Sequence, residues 1–473
     1  MAAEGGGHAR QAVTIGSRRD IIDFVNSHPT GSRRGKIMVF IALGGIFIDA
    51  YDFTSLGIGV ESLQQQLGLT PFQLGSVTAS MAFGALAGAL VGGYLVDRLG
   101  RFKLFIVDLM LFVVAAIGAA LAPNLTWLLI FRFLLGVGVG VDMPASFSFV
   151  AEFISTKAKG KYVNLWQLMW YLAVVSTVLV ALPFYFAGVE ENLWRWAVGF
   201  GAVPAAIVLV LRLVYADESP MWAAHHLGLR TAARILEKNY DVRVVVAGEE
   251  RPVAGEHARF TAVFQRGFRA RTALISVVSG TQAMEYYAVG FYVPVITSLI
   301  LGKGVLFALL GTLVINLFGI LGGGTQPFLT QRLGVWWLAV IGYSIVITCL
   351  VAAGLTEGKV SIYLSALLIG LFIFGHSFGP GSQGKTMAAL SYPTEFRGVG
   401  MGWAESMSRV GTISGFYVFP LVLAAVGLGG TLLILTVIPL VGLAGLLAIR
   451  WEPVGKDVET PEGRTAFPVV EHP

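Results

Sequence analysis

Residues 37–63 read IMVFIALGGIFIDAYDFTSLGIGVESL. The run is long enough to cross a bilayer as a helix, which takes about 20 mostly apolar residues. Asp49 and Asp52 stand near its middle. A charge at the centre of a spanning helix costs at least ~2.5 kcal/mol, so acids at that depth face a bundle interior or a wet cavity. Three residues apart, the two share one helical face.

The rest of the chain agrees with a membrane setting. Of 473 residues, 55% are hydrophobic and only 13% are charged, with a mean hydropathy of +0.74. A soluble domain carries about 25% charged residues, which excludes a water-soluble globule. The net charge of +5 reads as basic loops rather than a nucleic-acid surface. The single cysteine, Cys349, excludes an intrachain disulfide framework. The first 36 residues are polar and carry Arg18, Arg19, Arg33, Arg34 and Lys36, unlike a cleavable signal.

Spanning runs recur near 37–63, 72–96, 102–122, 126–153, 162–187 and 193–215, then near 272–300, 304–330, 335–354, 360–390, 398–426 and 429–450. The expected fold is an all-α membrane protein of twelve transmembrane helices in two pseudo-symmetric six-helix bundles. The halves are 37–215 and 271–450, with a tail at 1–36, a loop at 216–270 and a tail at 451–473. The loops at 97–103, 155–161, 216–271, 331–334 and 391–398 gather the Lys and Arg residues. Those on the other side hold Lys303 and Lys359 beside Glu61, Glu190, Glu191 and Glu357. The positive-inside rule then places both termini and the middle loop in the cytoplasm of a cell whose plasma membrane the chain spans. Leu229 to Tyr240 reads as an amphipathic surface helix. The flanks 1–30 and 454–473 read as disordered.

The two halves resemble each other weakly. Asp97-Arg98-Leu99-Gly100 after the second run matches Gln331-Arg332-Leu333-Gly334 after the eighth. Lys159-Gly160 matches Arg397-Gly398. Parallel repeats of this kind are common among secondary transporters. Gly84, Gly88 and Gly92, like Gly136 and Gly140, fall four apart and let helix backbones approach. Gly379-Pro-Gly-Ser-Gln-Gly384-Lys385-Thr386 fits a phosphate-loop pattern. That loop needs a strand before it and a soluble nucleotide domain around it. Inside a span, it reads instead as a helix break.

Several motifs resemble the major facilitator superfamily. Gly93-Tyr-Leu-Val-Asp97-Arg98-Leu-Gly100-Arg101-Phe-Lys103 resembles its loop 2–3 motif. Arg132-Phe-Leu-Leu-Gly136-Val-Gly138-Val-Gly140, with Pro144 and Glu152, resembles its fourth helix. Glu218-Ser219-Pro220-Met221-Trp222 is similar to the sugar-porter motif after helix six. Tyr392-Pro393-Thr394-Glu395-Phe396-Arg397-Gly398 resembles the loop 10–11 motif of metabolite:proton symporters. Asp49-Ala50-Tyr51-Asp52 is similar to the first helix of phosphate and aromatic-acid symporters, and Gly402-Trp403 with Arg409 and Gly411 is similar to the latter. Gln167 and Gln282…Phe291-Tyr292-Val-Pro294 are similar to sugar-porter positions. Tyr287 and Thr281 depart from the residues that sugar porters carry there.

The resemblance implies an alternating-access transporter. It sets Arg132 opposite Asp52. A carboxylate beside an arginine holds its charge, and one separated from it and dried takes up a proton. Contact made and broken between them would therefore couple transport to protons. The other reading is a static ion pair holding helices together. Asp49 and Asp142 are further proton-coupling candidates, with Asp142 otherwise capping a break before Pro144. Neutralising Asp52 is expected to cost more transport than neutralising Asp49.

Substrate-binding candidates are Gln167, Trp170, Gln282, Glu285, Tyr287, Lys385 and Arg409. Amides and aromatic rings suit a polar organic substrate, and the two cations suit an anion. Lys385 otherwise snorkels to the interface, and His376 reads as a packed histidine. Asp97, Arg98, Arg101, Glu152, Glu395 and Arg397 form the expected cytoplasmic gate.

The expected activity is proton symport of a small polar metabolite, an organic acid or a sugar-like molecule. Uncoupled facilitation, drug efflux and a transporter-like receptor are the alternatives. No enzyme activity, metal or cofactor is expected, the proton being the coupling ion. The expected partners are a small-molecule substrate and the lipid bilayer, with no nucleic acid, and the chain is expected to act as a monomer.

Overall fold

A computed structural model describes residues 12–28, 33–58, 60–248, 259–301 and 305–460. In chain order the first half comprises β1 (Ala12–Ile15), α1 (Arg18–Ser27), α2 (Arg33–Ile58), α3 (Val60–Leu67), α4 (Pro71–Leu99), α5 (Arg101–Ala120), α6 (Leu125–Phe153), α7 (Thr156–Phe186), α8 (Leu193–Phe200) and α9 (Ala202–Tyr215). The middle holds α10 (Pro220–His226), α11 (Leu229–Tyr240) and β2 (Arg243–Val246). The second half comprises α12 (Arg269–Glu285), α13 (Val293–Leu301), α14 (Val305–Thr356), α15 (Ile362–Phe378), α16 (Pro380–Ser391), α17 (Arg397–Leu435) and α18 (Val437–Ala448).

Among the described residues, nine helices are long and apolar enough to cross a membrane. Two of them turn back on themselves. Gly334 (φ 76°) bends α14, and Gly427 (φ 71°) bends α17, and only glycine takes such angles without strain. These bends fall between the eighth and ninth, and the eleventh and twelfth, expected spans. The seventh span is interrupted by a π-helical turn, Tyr286–Gly290, between α12 and α13. The tenth breaks at Gly379, before Pro380 begins α16. Helix starts follow local chemistry. Thr70 and Gln73 cap α4 reciprocally, with Pro71 at its first position.

Burial follows the helix period. In α5, Val107, Met110, Val114 and Ile117 are exposed while Leu104, Asp108, Phe112 and Ala115 are buried. The outer stripe is suited to lipid, and the inner one carries a charge. The glycine rows set the closest helix contacts. Gly84 and Gly88 of α4 lie against the α6 backbone at Phe133 and Val137, and Gly136 and Gly140 return the contact at Met81 and Ala85. Between the halves, Gly93 of α4 lies against Gly398 and Gly402 of α17.

Two expectations need correction. The flanks are ordered wherever they are described. β1 pairs in parallel with β2, Ala12 opposite Arg243, and Ser17 with Asp20 makes a capping box for α1. Residues 454–460 fold back onto the bundle through Asp457 and Glu459. Polarity suggested disorder, but the partners of these residues lie far off in sequence. Residues 1–11, 29–30 and 461–473 of those flanks lie outside the described residues, as does Lys303. In α6, Pro144 sits inside an unbroken helix, so Asp142 caps no break.

Candidate functional site

A narrow cavity lies between the halves, lined by Trp166, Gln167 and Trp170 of α7, Gln282 of α12, Tyr286 and Tyr287 of the π-turn, His376, Lys385, Ser408 and Arg409. The breaks in the seventh and tenth spans place these groups. A π-turn shifts the side-chain register within a helix, which brings two successive tyrosines into the wall. Six expected substrate residues, Gln167, Trp170, Gln282, Tyr287, Lys385 and Arg409, therefore meet in one place. Glu285 does not line it. It accepts a 2.8 Å hydrogen bond from His376 Nδ1 and so holds the ring that does. His376 is thus a wall residue, stacked on Tyr286 at 4.9 Å.

Lys385 does not snorkel. It is buried and pairs with Glu405 at 2.9 Å, and the Arg409 guanidinium pairs with the same carboxylate. Arg409 also lies over the Phe53 ring at 4.6 Å, and Lys385 over Trp166 at 4.7 Å. Gln282 donates to Ser408 Oγ at 3.1 Å, and Trp170 Nε1 donates to the Tyr286 hydroxyl at 3.3 Å.

The two acids of α2 are fully buried, and no carboxylate oxygen of either has a hydrogen-bond donor among the described residues. The pairing expected between Asp52 and Arg132 is altered. Arg132 donates to the Asp52 backbone carbonyl at 2.8 Å, not to the carboxylate. The Asp52 side chain packs instead where Gly201 lacks a Cβ, and a methyl group there would collide with Oδ1. Asp142 does not stand in the substrate cavity. It accepts from Arg212 at 2.9 Å and from Ser146 Oγ at 3.1 Å, and Arg212 also pairs with Asp108 at 3.3 Å. Asp49 lies in the field of both clusters, Asp142 with Asp108 and Arg409 with Glu405.

At one end of the bundle the halves are locked. Arg101 bonds Asp97 at 3.1 Å and Glu152 at 2.8 Å. Glu152 also takes Arg397 at 2.9 Å, across the halves. Asp97 accepts the Gly398 and Val399 amides of α17 at 3.0 and 2.9 Å. Glu459 closes the far side on Arg397 at 2.8 Å and on Thr394. Burial opposes the charge of Glu459, but Arg397, Thr394 and Lys159 outweigh it and hold the carboxyl below its usual range. Glu218 accepts the Arg101 and Phe102 amides at the start of α5, at 3.0 and 3.1 Å. Burial holds its carboxyl above the usual range, with Arg101 pulling the other way. Glu452 repeats the arrangement in the second half, accepting the Trp336 amide at 2.9 Å. Of the expected gate residues, Arg98 and Glu395 are exposed rather than buried with the others.

Sequence reasoning missed Glu405, Asp108, Arg212 and Glu459. For the first three a signal was present, since each is a charge inside an apolar run, and Glu405 stands four residues before Arg409 on one helical face. Glu459 carried no such signal.

The comparisons follow the same architecture. The putative metabolite transport protein YaaU of Escherichia coli (strain K12) is 28% identical over 411 residues, covering 87% of this chain and 90% of that one. The niacin transporter NiaP of Acinetobacter baylyi is 26% identical, covering 93% and 99%. The major facilitator proton:xylose symporter XylE, solved with 6-bromo-6-deoxy-D-glucose, superposes with a TM-score of 0.77 at 19% identity, covering 90% of this chain and 98% of that one. Its inward open conformation, from E. coli, scores 0.66 at 18% identity, covering 89% and 97%. Residues 37–460 match the family described as sugar (and other) transporter. The chain is therefore a member of that family, a multi-pass membrane transporter of the major facilitator superfamily and not an enzyme.

Proposed function

We propose that the chain is a proton-coupled symporter of a small polar metabolite, working by alternating access in the cytoplasmic membrane with both termini inside. The observation that carries this reading is the pair of buried acids in α2, held without donors beside Arg132 and within the field of the cavity cations. Fixed structural acids at such depth are ordinarily paired. A carboxylate whose nearest cation binds elsewhere is free to exchange a proton when the helices move. The membrane potential then adds ~2.3 kcal/mol per charge per 100 mV to accumulation.

The halves, 37–215 and 271–450, would rock about the cavity. The Asp97–Arg101–Glu152–Arg397–Glu459 network would hold the inner side shut, and the lower TM-score against an inward open relative is in keeping with this. Gln167, Trp170, Gln282 and Tyr287 would contact the substrate, with Glu285 acting through His376. The chain would act as a monomer without a cofactor. That XylE is a proton:xylose symporter supports the coupling. Uptake into proteoliposomes, measured with and without an inward-acid pH gradient, tests the reading. Uptake indifferent to the gradient would leave a facilitator.

A further inference from the structure

The cavity wall brings two cations onto one carboxylate, with Asp49 of α2 in their field but hydrogen-bonded to neither. Lys385 and Arg409 are both buried and share one carboxylate, Glu405. The Nε of Arg409 has no acceptor among the described residues. Removing two cations from water is costly unless matching anions meet them. A neutral polyol entering this cavity would leave the two cations with one bonded carboxylate between them, Asp49 acting only through its field. An anionic ligand would complete the set, and an arginine fork holds a carboxylate through two parallel bonds.

The remaining walls are aromatic. Trp166 and Trp170 meet edge to face at 6.3 Å and 81°, and Trp170 meets Tyr286 at 6.3 Å and 77°. Tyr287 packs on Phe53 at 5.9 Å, and Phe53 also carries the Arg409 guanidinium. Such faces offer flat apolar surface to a ring.

We infer that the transported molecule is a small planar organic monocarboxylate, its carboxylate on Arg409 and Lys385 and its ring among Trp166, Trp170, Tyr286 and Tyr287. The inference rests on the reading of this cavity as the transport site. It does not require proton coupling.

Equilibrium binding of radiolabelled benzoate to the full chain in lipid nanodiscs, at one pH and with no gradient, tests it. Benzoate binds saturably and is displaced by unlabelled benzoate, while benzamide and D-xylose in hundredfold excess displace none. Arg409→Gln weakens binding at least tenfold. Glu405→Gln, which removes the internal competitor for both cations, tightens it at least threefold. Absence of saturable benzoate binding overturns the inference. So does displacement by benzamide or D-xylose, benzoate binding unchanged in Arg409→Gln, or weaker binding in Glu405→Gln. Should either variant fail to fold, the wild-type competition pattern decides alone. Failure of the symport reading is separate and shows as gradient-insensitive uptake with this binding intact.

Discussion

Glu152→Gln perturbs the lock between the halves at a single point. The wild-type carboxylate accepts from Arg101 of its own half at 2.8 Å and from Arg397 of the other half at 2.9 Å. Glutamine keeps the shape and one acceptor oxygen but loses the charge. A hydrogen bond to a charged group contributes ~1.5–3 kcal/mol and a neutral one ~0.5–1.5. Arg397 keeps its second partner, Glu459, so the full ~3–5 kcal/mol of a broken buried pair does not apply. The closed state should lose about 2 kcal/mol, roughly a 30-fold rise in opening.

The assay is thiol labelling. The chain has one cysteine, Cys349, so a Cys349→Ala background with Ala389→Cys reports one site. Ala389 is buried and lines the space beneath the 453–459 strap. Labelling in inside-out vesicles should quicken by roughly that factor. Glu452→Gln is the control, because Glu452 binds the Trp336 amide within one half only. An unchanged rate in Glu152→Gln, or an equal rise in Glu452→Gln, would refute the reasoning. The lock also has a pH sign. The contribution of Glu459, whose folded value is depressed, is complete above the ordinary glutamate value of ~4.3 and is lost as pH falls through the lower folded one.

Asp52→Asn is expected to abolish accumulation against a gradient while sparing exchange, measured as counterflow in proteoliposomes; an equal or larger loss in Asp49→Asn would move the proton role to Asp49. Burial holds His225 and His226 below the usual histidine range. Stability from their neutral forms is present above the unfolded value of ~6.5 and is lost as pH falls below it. The Tm of the wild type should therefore drop more between pH 7.5 and 5.5 than that of a His225→Gln/His226→Gln variant, and parallel curves would contradict this. Gly140→Ala should lower the Tm, with a cost of ~1–3 kcal/mol for overpacking, because its Cβ would strike the α4 backbone at Ala85 and Ala89. Gly138→Ala should not, since its nearest neighbour is Phe112 at 3.4 Å. Equal Tm losses would argue against the α4–α6 contact.

Much of the molecule was legible in the chain alone, for a reason rooted in the solvent. A bilayer leaves backbone groups only the helix, so apolar length by itself locates spans. The acids of α2 announced themselves because charge inside such a run is costly. The glycine rows marked the α4–α6 contact, and the 229–240 pattern matched α11 residue for residue. Helical spacing held the signal that Glu405 lies within reach of Arg409, and the sequence reading passed over it. What no spacing contained was the choice among long-range partners. Glu405 binds Lys385 from another helix, Asp142 goes to Arg212 rather than to the cavity, and Arg132 takes the carbonyl of Asp52 instead of its carboxylate because Gly201 opens room for that side chain. Residues 12–28 and 454–460, polar and short, read as tails because local sequence has no term for a partner hundreds of residues away. Their order comes from β2, Arg397 and Thr394, which only the folded chain brings to them.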